Sequence, residues 1–249
     1  MKIIICGICG KMSENLLELL RADDAEVVCG VDIGCNPKVT VPVYKTFEDI
    51  KEKADVIIDF SSPAALKGEM EWAIKHNIPV VLAATGYSNE QIEYIDKCAK
   101  KIPVFKTANF SLGINLLVKL VREAAEVLGE SFDIEIIEKH HNKKTDAPSG
   151  TALMLADSAN SAFESKKEYL NGREGIVGKR GKEIGIHAVR GGTVVGEHEV
   201  LFAGEDEIIS LSHSARSKKV FAAGAVKAAK WIVGKPAGKY DMTSVLENL

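Results

Sequence analysis

Over its first hundred or so residues this 249-residue chain alternates short apolar runs with helical patterns, and that alternation limits the fold more than any other feature. Residues 2–10 read KIIICGICG, a buried strand ending in a glycine turn, and residues 12–20 continue with Leu16, Leu17, Leu19 and Leu20 at helical spacing. EVVCGVD at 26–32 and ADVIIDF at 54–60 are further strands. Ser61-Ser62-Pro63 then offers a hydroxyl cap with proline in the first turn of a helix reaching Ile74. Residues 78–83 form a strand, 89–101 a helix and 103–106 a short strand. Strand and helix in alternation imply a parallel sheet with right-handed crossovers. Ligands of such sheets lie at the carboxyl ends of the strands, so Gly7, Asp32, Phe60, Ala84, Thr85, Ala108 and Asn109 are expected to face one crevice.

Gly7 and Gly10, three apart, let the backbone approach a pyrophosphate whose charge sits at the start of the next helix. The third glycine of a dinucleotide fingerprint is replaced by Ser13, and the middle position holds Cys9; a glycine turn also serves merely to pack strand on helix. The second strand strengthens the reading, because it ends in Asp32, where a dinucleotide fold places the carboxylate that binds the adenine ribose hydroxyls. Asp32 would repel a 2′-phosphate, so NADH is the expected cofactor, while Lys11 and Lys38 offset that repulsion and leave NADPH open. An ordinary strand-end turn residue is the competing reading of Asp32.

The helical pattern Leu112–Leu128, with Leu116, Leu117, Leu120, Val121, Ala124 and Leu128 on its apolar side, leads towards a second domain. FDIEIIE at 132–138 alternates as a strand with one buried face. It runs into the densest chemistry of the chain, EKHHNKKTDAPSGTAL at 138–153: paired imidazoles, paired ammonium groups and a helix start. Lys143 and Lys144 are cationic at neutral pH, and His140 or His141 can carry a proton there. A small dicarboxylate would have one carboxylate held by a lysine and the other by N–H groups near Ser149, Gly150 and Thr151, with one imidazole left as proton donor. A solvated basic turn is the bland alternative, and a metal site has poor ligand spacing here.

Residues 164–183, rich in Gly, Lys, Arg and Glu, lack an apolar period and suggest a mobile functional loop. Residues 184–189, 193–202 and 207–212 alternate like antiparallel strands, separated by Gly191-Gly192 and Gly204-Glu205-Asp206, and join 132–138 in a sheet whose open edges invite self-association. Residues 217–233 are a last helix whose Gly-Ala-Val-x-x-Ala-Ala face suits packing against the nucleotide domain.

The formal charge of −3 argues against a nucleic-acid binder, and no apolar run approaches the ~20 residues of a membrane span. Met1 leads straight into a strand pattern without a signal-peptide layout, so a soluble, cytoplasmic protein is expected. Five cysteines, Cys6, Cys9, Cys29, Cys35 and Cys98, cannot all pair and are expected as free thiols. Cys6 and Cys9 form a C-x-x-C without the second pair that a structural zinc site wants, and no metal is expected there.

With these residues placed, the chain resembles the dihydrodipicolinate reductase family of lysine and diaminopimelate biosynthesis over almost its whole length. The resemblance rests on GICGKM at 7–12, IDFSSP at 58–63, ATGY at 84–87, ANFSLGIN at 108–115, the histidine-lysine-DAPSGTA block, REGIVGKR at 173–180, VRGGTVVGEHEVLF at 189–202 and FAAGAV at 221–226. It implies an α/β protein: a Rossmann-like doubly wound parallel sheet, plus a central α+β substrate and oligomerisation domain with a mixed, largely antiparallel open sheet. The nucleotide domain would comprise residues 1–109 and 219–249, the central domain residues 110–218, and the assembly would be a homotetramer. In the family the first histidine of the pair is the general acid, here His140. The resemblance implies that His141 and Lys144 bind substrate carboxylate, the lysine also being assigned a proton-donor role, with Gly150 and Thr151 completing the anion site. Cofactor contacts carry over to Gly7, Ile8, Cys9, Gly10, Lys11 and Met12, to Asp32 and Phe60, to Ala84, Thr85 and Gly86, to Ala108, Asn109 and Phe110, and to Lys218. Cys9, Ser13 and Ala83-Ala84 depart from the common pattern, which bears on cofactor preference more than on activity. The implied reaction is hydride transfer to ring C4 of a cyclic imine dicarboxylate with a proton from His140, the two domains closing around it. Another nicotinamide-dependent reductase of a small dicarboxylate, or a non-catalytic nucleotide sensor, are the alternatives.

Overall fold

The computed structural model describes residues 1–34 and 36–248; Cys35, one of the expected free thiols, lies outside the described residues, as does Leu249. Cys6, Cys29 and Cys98 are free thiols. In chain order the strands and helices are β1 (Lys2–Cys6), α1 (Lys11–Leu20), β2 (Glu26–Val31), β3 (Val43–Tyr44), β4 (Val56–Asp59), α2 (Leu66–His76), β5 (Val80–Leu82), α3 (Asn89–Cys98), β6 (Pro103–Lys106), α4 (Leu112–Leu128), β7 (Asp133–His140), α5 (Gly150–Ser161), β8 (Tyr169–Asn171), β9 (Ile184–Arg190), β10 (Gly196–Ala203), β11 (Ile208–Ala215), α6 (Lys219–Ile232), β12 (Gly238–Tyr240) and α7 (Met242–Leu246). They form two units, Met1–Ser111 with Lys218–Leu249, and Leu112–Ser217.

The first unit holds a seven-stranded sheet in the order β12-β6-β5-β4-β1-β2-β3, with every ladder parallel. Helical crossovers cover both faces of such a sheet, so its strands must be apolar throughout. Ile3, Ile4, Ile5, Ile57, Ile58 and Val80 are accordingly fully buried. The chain leaves β1 towards β2 and β3, then returns to β4 on the other side, so the strand order reverses between β1 and β4. That is where a doubly wound sheet opens its ligand crevice. Helix α6 packs on α1 and on β4, β5 and β6. Its Gly224 allows this, since a Cβ there would collide with the Phe110 carbonyl.

Three local expectations differ. Pro63 does not sit in the first turn of α2: residues 62–65 make a separate turn, closed by the Ala65 N–H donating to the Ser62 carbonyl at 3.0 Å, and the helix begins at Leu66. Strands β3 and β12, two and three residues long, are too short to show a period. Helix α4 buries Ile114, Leu117, Val121 and Ala125, whereas Leu116 and Leu120 of the expected apolar side stand out, because the helix is more apolar than one face requires.

The second unit is a five-stranded sheet, β11-β10-β7-β9-β8. β10 pairs antiparallel with β11 and β7, while β7–β9 and β9–β8 are parallel, so the sheet is mixed. The expected neighbours β9 and β10 are not paired with each other. β7 lies between them, and the Gly191 N–H donates to the His140 carbonyl rather than closing a hairpin. Alternation placed the side chains of β7 and β10 correctly but carries no information on strand order. The stretch 164–183 is also not simply a loop: it contains β8, and Arg173 and Arg180 fold back onto Glu135. Helices α4 and α5 pack on each other and on this sheet, around Ile134, Ile136, Leu155, Ala156, Ile184, Val200 and Phe202.

Candidate active site

In the first unit, a cavity of ≈ 560 Å³ opens at the strand reversal, bounded among others by Gly7, Gly10, Asp32, Phe60 and Ser61. Gly7 has φ +76°, and a Cβ there would lie 2.8 Å from the Ser61 backbone, so only glycine fits. The Gly7 N–H donates to the Val31 carbonyl at 2.8 Å and the Gly10 N–H to the Gly7 carbonyl at 3.0 Å, which folds the turn tightly against the sheet. Ser13, in the place of the third glycine, is buried and its hydroxyl donates to the Gly7 carbonyl at 2.8 Å. The hydroxyl thus pins the turn that glycine would merely permit. Among the described residues no side chain caps α1, so its first-turn N–H groups lie behind a glycine turn, the arrangement that receives a pyrophosphate.

Asp32 accepts the Cys9 N–H at 2.9 Å and the Gly34 N–H at 2.8 Å, tying the acid at the end of β2 to the glycine turn. Ile8 is different: its side chain is fully buried, and a Cβ on Gly30 would strike it, so it is a core residue. Cys9 lies within the turn, and Lys11 and Met12 open α1 after it, Lys11 exposed as its first residue. Ala84, Thr85 and Gly86 follow β5, and Ala108, Asn109 and Phe110 follow β6, all at carboxyl ends of strands but outside the lining of this cavity. Phe110 is buried with its ring 6.5 Å from that of Phe60. Lys218 is exposed at the start of α6. Lys45, Thr46, Ser61 and Ser62 line the cavity without having been expected as cofactor contacts. Ser61 and Ser62 read as helix caps, and Lys45 and Thr46 follow a strand too short to recognise. The glycine-only turn, the uncapped helix and the strand-end acid fit a dinucleotide.

The second unit holds the histidine-lysine block. β7 delivers Glu138 inward and His140 at its end, and α5 begins just beyond, with Ser149 as its cap. Glu138 has no exposed surface. It accepts His140 Nδ1–H at 2.6 Å, two guanidinium N–H groups of Arg190 at 2.7 Å each, and the Ser149 N–H at 2.9 Å. Burial pushes the Glu138 carboxyl up, but hydrogen bonds from Arg190, His140 and Ser149 outweigh it and hold it below the usual carboxylate range. A carboxylate on Nδ1 fixes the ring and leaves Nε2 as the outward nitrogen. Nε2 lies over Gly196, where a Cβ would come within 3.1 Å.

His198, across from Glu138 in the β7–β10 register, stands edge-on to His140 with centroids 5.2 Å apart. Burial and then the neighbouring His140 push the His198 imidazole down to about 4, so it is neutral at physiological pH, and its Nε2 is hydrogen-bonded to the Ser149 hydroxyl at 3.0 Å. Lys144 Nζ donates to both Asp146 oxygens at 2.8 Å, and the Asp146 carboxyl is held below its usual range by that ammonium. The His141 Nδ1 is buried and has no hydrogen-bond partner among the described residues.

Ser149 departs from the expectation. It is 2% exposed, its N–H is on Glu138, and its hydroxyl serves both His198 and the Ala152 N–H, so it caps α5 instead of facing a ligand. Gly150 and Thr151 open α5 beyond it. Glu138, Arg190 and His198 were not assigned in the sequence, although the first lies in the dense block and the others in the 189–202 motif. The available signal was strand alternation, which puts Glu138 and His140 on one face of β7.

Compared with known proteins, residues 1–110 match the family model for dihydrodipicolinate reductase, N-terminus, and residues 113–246 the one for its C-terminus. The chain belongs to the dihydrodipicolinate reductase family. It is 50% identical over 248 residues to the 4-hydroxy-tetrahydrodipicolinate reductase of Caldanaerobacter subterraneus subsp. tengcongensis, covering 99% of this chain and 98% of that one. The Clostridium tetani protein of the same name is 43% identical, with 99% and 97% coverage. Among solved structures, the dipicolinate-bound dihydrodipicolinate reductase from Paenisporosarcina sp. TG-14 matches with a TM-score of 0.82 at 27% identity over 97% of both chains. A probable dehydrogenase from Thermotoga maritima, with a TM-score of 0.63 at 14% identity, shares the fold. The protein is therefore an oxidoreductase of a nicotinamide-dependent family. Among the described residues no helix is long and apolar enough to cross a membrane.

Proposed function

We propose that this chain reduces 4-hydroxy-tetrahydrodipicolinate to tetrahydrodipicolinate in the cytoplasm, with His140 as general acid. The observation that carries the reading is the Glu138–His140 pair, in which a buried carboxylate holds Nδ1 and leaves Nε2 to deliver a proton beside a lysine and a helix start. Gly7, Ile8, Cys9, Gly10, Lys11, Met12, Asp32, Phe60, Ala84, Thr85, Gly86, Ala108, Asn109, Phe110 and Lys218 would hold the cofactor, Ile8 through its backbone alone. When bound, the nicotinamide supplies a hydride to ring C4 of the substrate. Asp32 disfavours a 2′-phosphate, so NADH is preferred over NADPH.

The remaining chemistry belongs to side chains of the second unit. Lys144 binds one substrate carboxylate, which replaces Asp146 as its anionic partner. Gly150 and Thr151, at the start of α5, receive a carboxylate through backbone N–H groups, and His141 offers its Nδ1. His140 donates its Nε2 proton as negative charge builds on the ring, and Glu138 stabilises the imidazolium that precedes transfer. His198, kept neutral, adds no competing positive charge.

The exposed Ile208 and Ile209 on edge strand β11 support assembly through this sheet into a homotetramer, which light scattering would detect. The activity test is nicotinamide oxidation on product freshly formed by dihydrodipicolinate synthase, with NADH and NADPH compared by kcat/KM. Turnover with NADH favoured supports the reading; no turnover with either removes it.

A further inference from the structure

Three acidic groups meet inside the first unit, beside the Gly7 cavity and without a role in the chemistry assigned above. Cys6 ends β1, Asp59 ends β4 and Glu69 lies in the first turn of α2, and one thiol or carboxylate atom from each lies within 4.8 Å of the others. All three side chains are buried, Asp59 and Glu69 completely. Neither carboxylate oxygen of Glu69 has a hydrogen-bond partner among the described residues. An unpartnered carboxylate in a protein interior is costly unless a proton or a cation compensates it.

Asp59 is already oriented: it accepts the Ser61 N–H at 2.7 Å and the Tyr87 hydroxyl at 3.3 Å. Cys6 donates to the Ser61 hydroxyl at 3.3 Å. Ligands with their own outer hydrogen-bond partners are a property of built metal sites. We propose that Cys6, Asp59 and Glu69 ligate one divalent cation of the zinc class, through one sulfur and two carboxylate oxygens. Magnesium and calcium want six or more oxygens and no thiolate, whereas zinc accepts sulfur with oxygen at four-coordinate sites. Ligand atoms around tetrahedral zinc lie roughly 3.5 Å apart, so binding draws the three side chains inwards by about 1 Å. Cys9 is not a ligand of this site, because its thiol points to the Gly34 carbonyl.

Burial favours the protonated forms of Cys6 and Glu69, and each also faces the other acids of the trio. Binding is therefore an exchange: the thiol and the Glu69 carboxyl each release one proton to solvent as bonds from sulfur and oxygen to the metal form, with no change of oxidation state. Affinity rises with pH. The ion ties α2 to β1 and β4 along the floor of the Gly7 cavity, which Cys6 lines.

The test strips the full-length protein with a chelator and titrates it with Zn²⁺ by equilibrium dialysis, using Co²⁺ as a spectroscopic reporter. One equivalent of zinc, a thiolate-to-cobalt charge-transfer band and a Tm raised by several degrees are expected. Cys6→Ser should abolish the band and Glu69→Gln should weaken zinc binding at least tenfold, while Cys9→Ser keeps the band. Circular dichroism checks the fold, and if Cys6→Ser does not fold, the near-isosteric Glu69→Gln decides. Absence of bound zinc overturns the proposal and leaves the trio holding protons. Zinc bound equally by Glu69→Gln and without a thiolate band overturns it too, since the ion then sits elsewhere, such as the histidines of the second unit.

Discussion

Replacing Glu138 with glutamine keeps the shape of a side chain that has no exposed surface and removes only its charge. Two effects follow from its contacts. Arg190 loses the carboxylate that accepts two of its N–H groups at 2.7 Å, and its guanidinium, 19% exposed, has little water to replace it. Breaking such a pair costs about 3 kcal/mol at the lower end of the buried range, which lowers Tm by roughly 6–12 °C for a chain of this size. His140 loses a charge-assisted hydrogen bond made at 2.6 Å. A bond of that type contributes about 1.5–3 kcal/mol, so kcat falls roughly 10- to 150-fold. The assay is steady-state NADH oxidation at a temperature well below the melting point of the variant. A variant that melts lower yet keeps the kcat of the parent would show Glu138 to be a structural anchor for Arg190 and nothing more.

Other perturbations separate the remaining parts of the account. Asp32→Asn should shift the NADPH-to-NADH ratio of kcat/KM towards NADPH by about tenfold, as expected if the carboxylate repels a 2′-phosphate; an unchanged ratio would take Asp32 out of cofactor selection. Ser13→Ala removes the hydroxyl that donates to the Gly7 carbonyl, and should cost about 1–3 kcal/mol of stability and weaken nucleotide binding; a melt unchanged from the parent contradicts that role. Burial opposes ionisation of Glu135, but hydrogen bonds from Arg173, His187 and Arg180 outweigh it and hold the carboxyl at about 2. A carboxyl depressed on folding contributes stability above its unfolded value near 4.5 that is lost as pH falls towards 2. Glu135→Gln should therefore destabilise by about 2–3 kcal/mol at pH 7 and converge on the parent near pH 2, as urea melts across that range would detect.

Much of this was legible in the residues, for identifiable reasons. β1, α1 and β2 declare themselves because a strand buried on both faces must be continuously apolar and the turn after it admits only glycine at position 7. The helix starting at Gly150 was readable from the helical spacing of Leu153, Leu155, Ala156 and Ala159, which is a local pattern. What local spacing could not convey was long-range pairing. β7 enters between β9 and β10, an order that alternation leaves undetermined, and the Glu138–Arg190 and Ser149–His198 contacts depend on it. The same register turned Ser149 from an expected ligand contact into a buried cap. The Cys6–Asp59–Glu69 cluster was hidden for a like reason: three residues that read separately as strand, strand end and helix meet only once β1 and β4 are neighbours.

The measurement that bears most directly on the account is single-turnover reduction of 4-hydroxy-tetrahydrodipicolinate by the His140→Gln variant, with NADH saturating and substrate affinity measured in parallel. Loss of the proton donor predicts a turnover rate lower by ~10²-fold or more with substrate binding nearly unchanged. A variant that turns over at the parental rate would contradict the assignment of His140 as the acid.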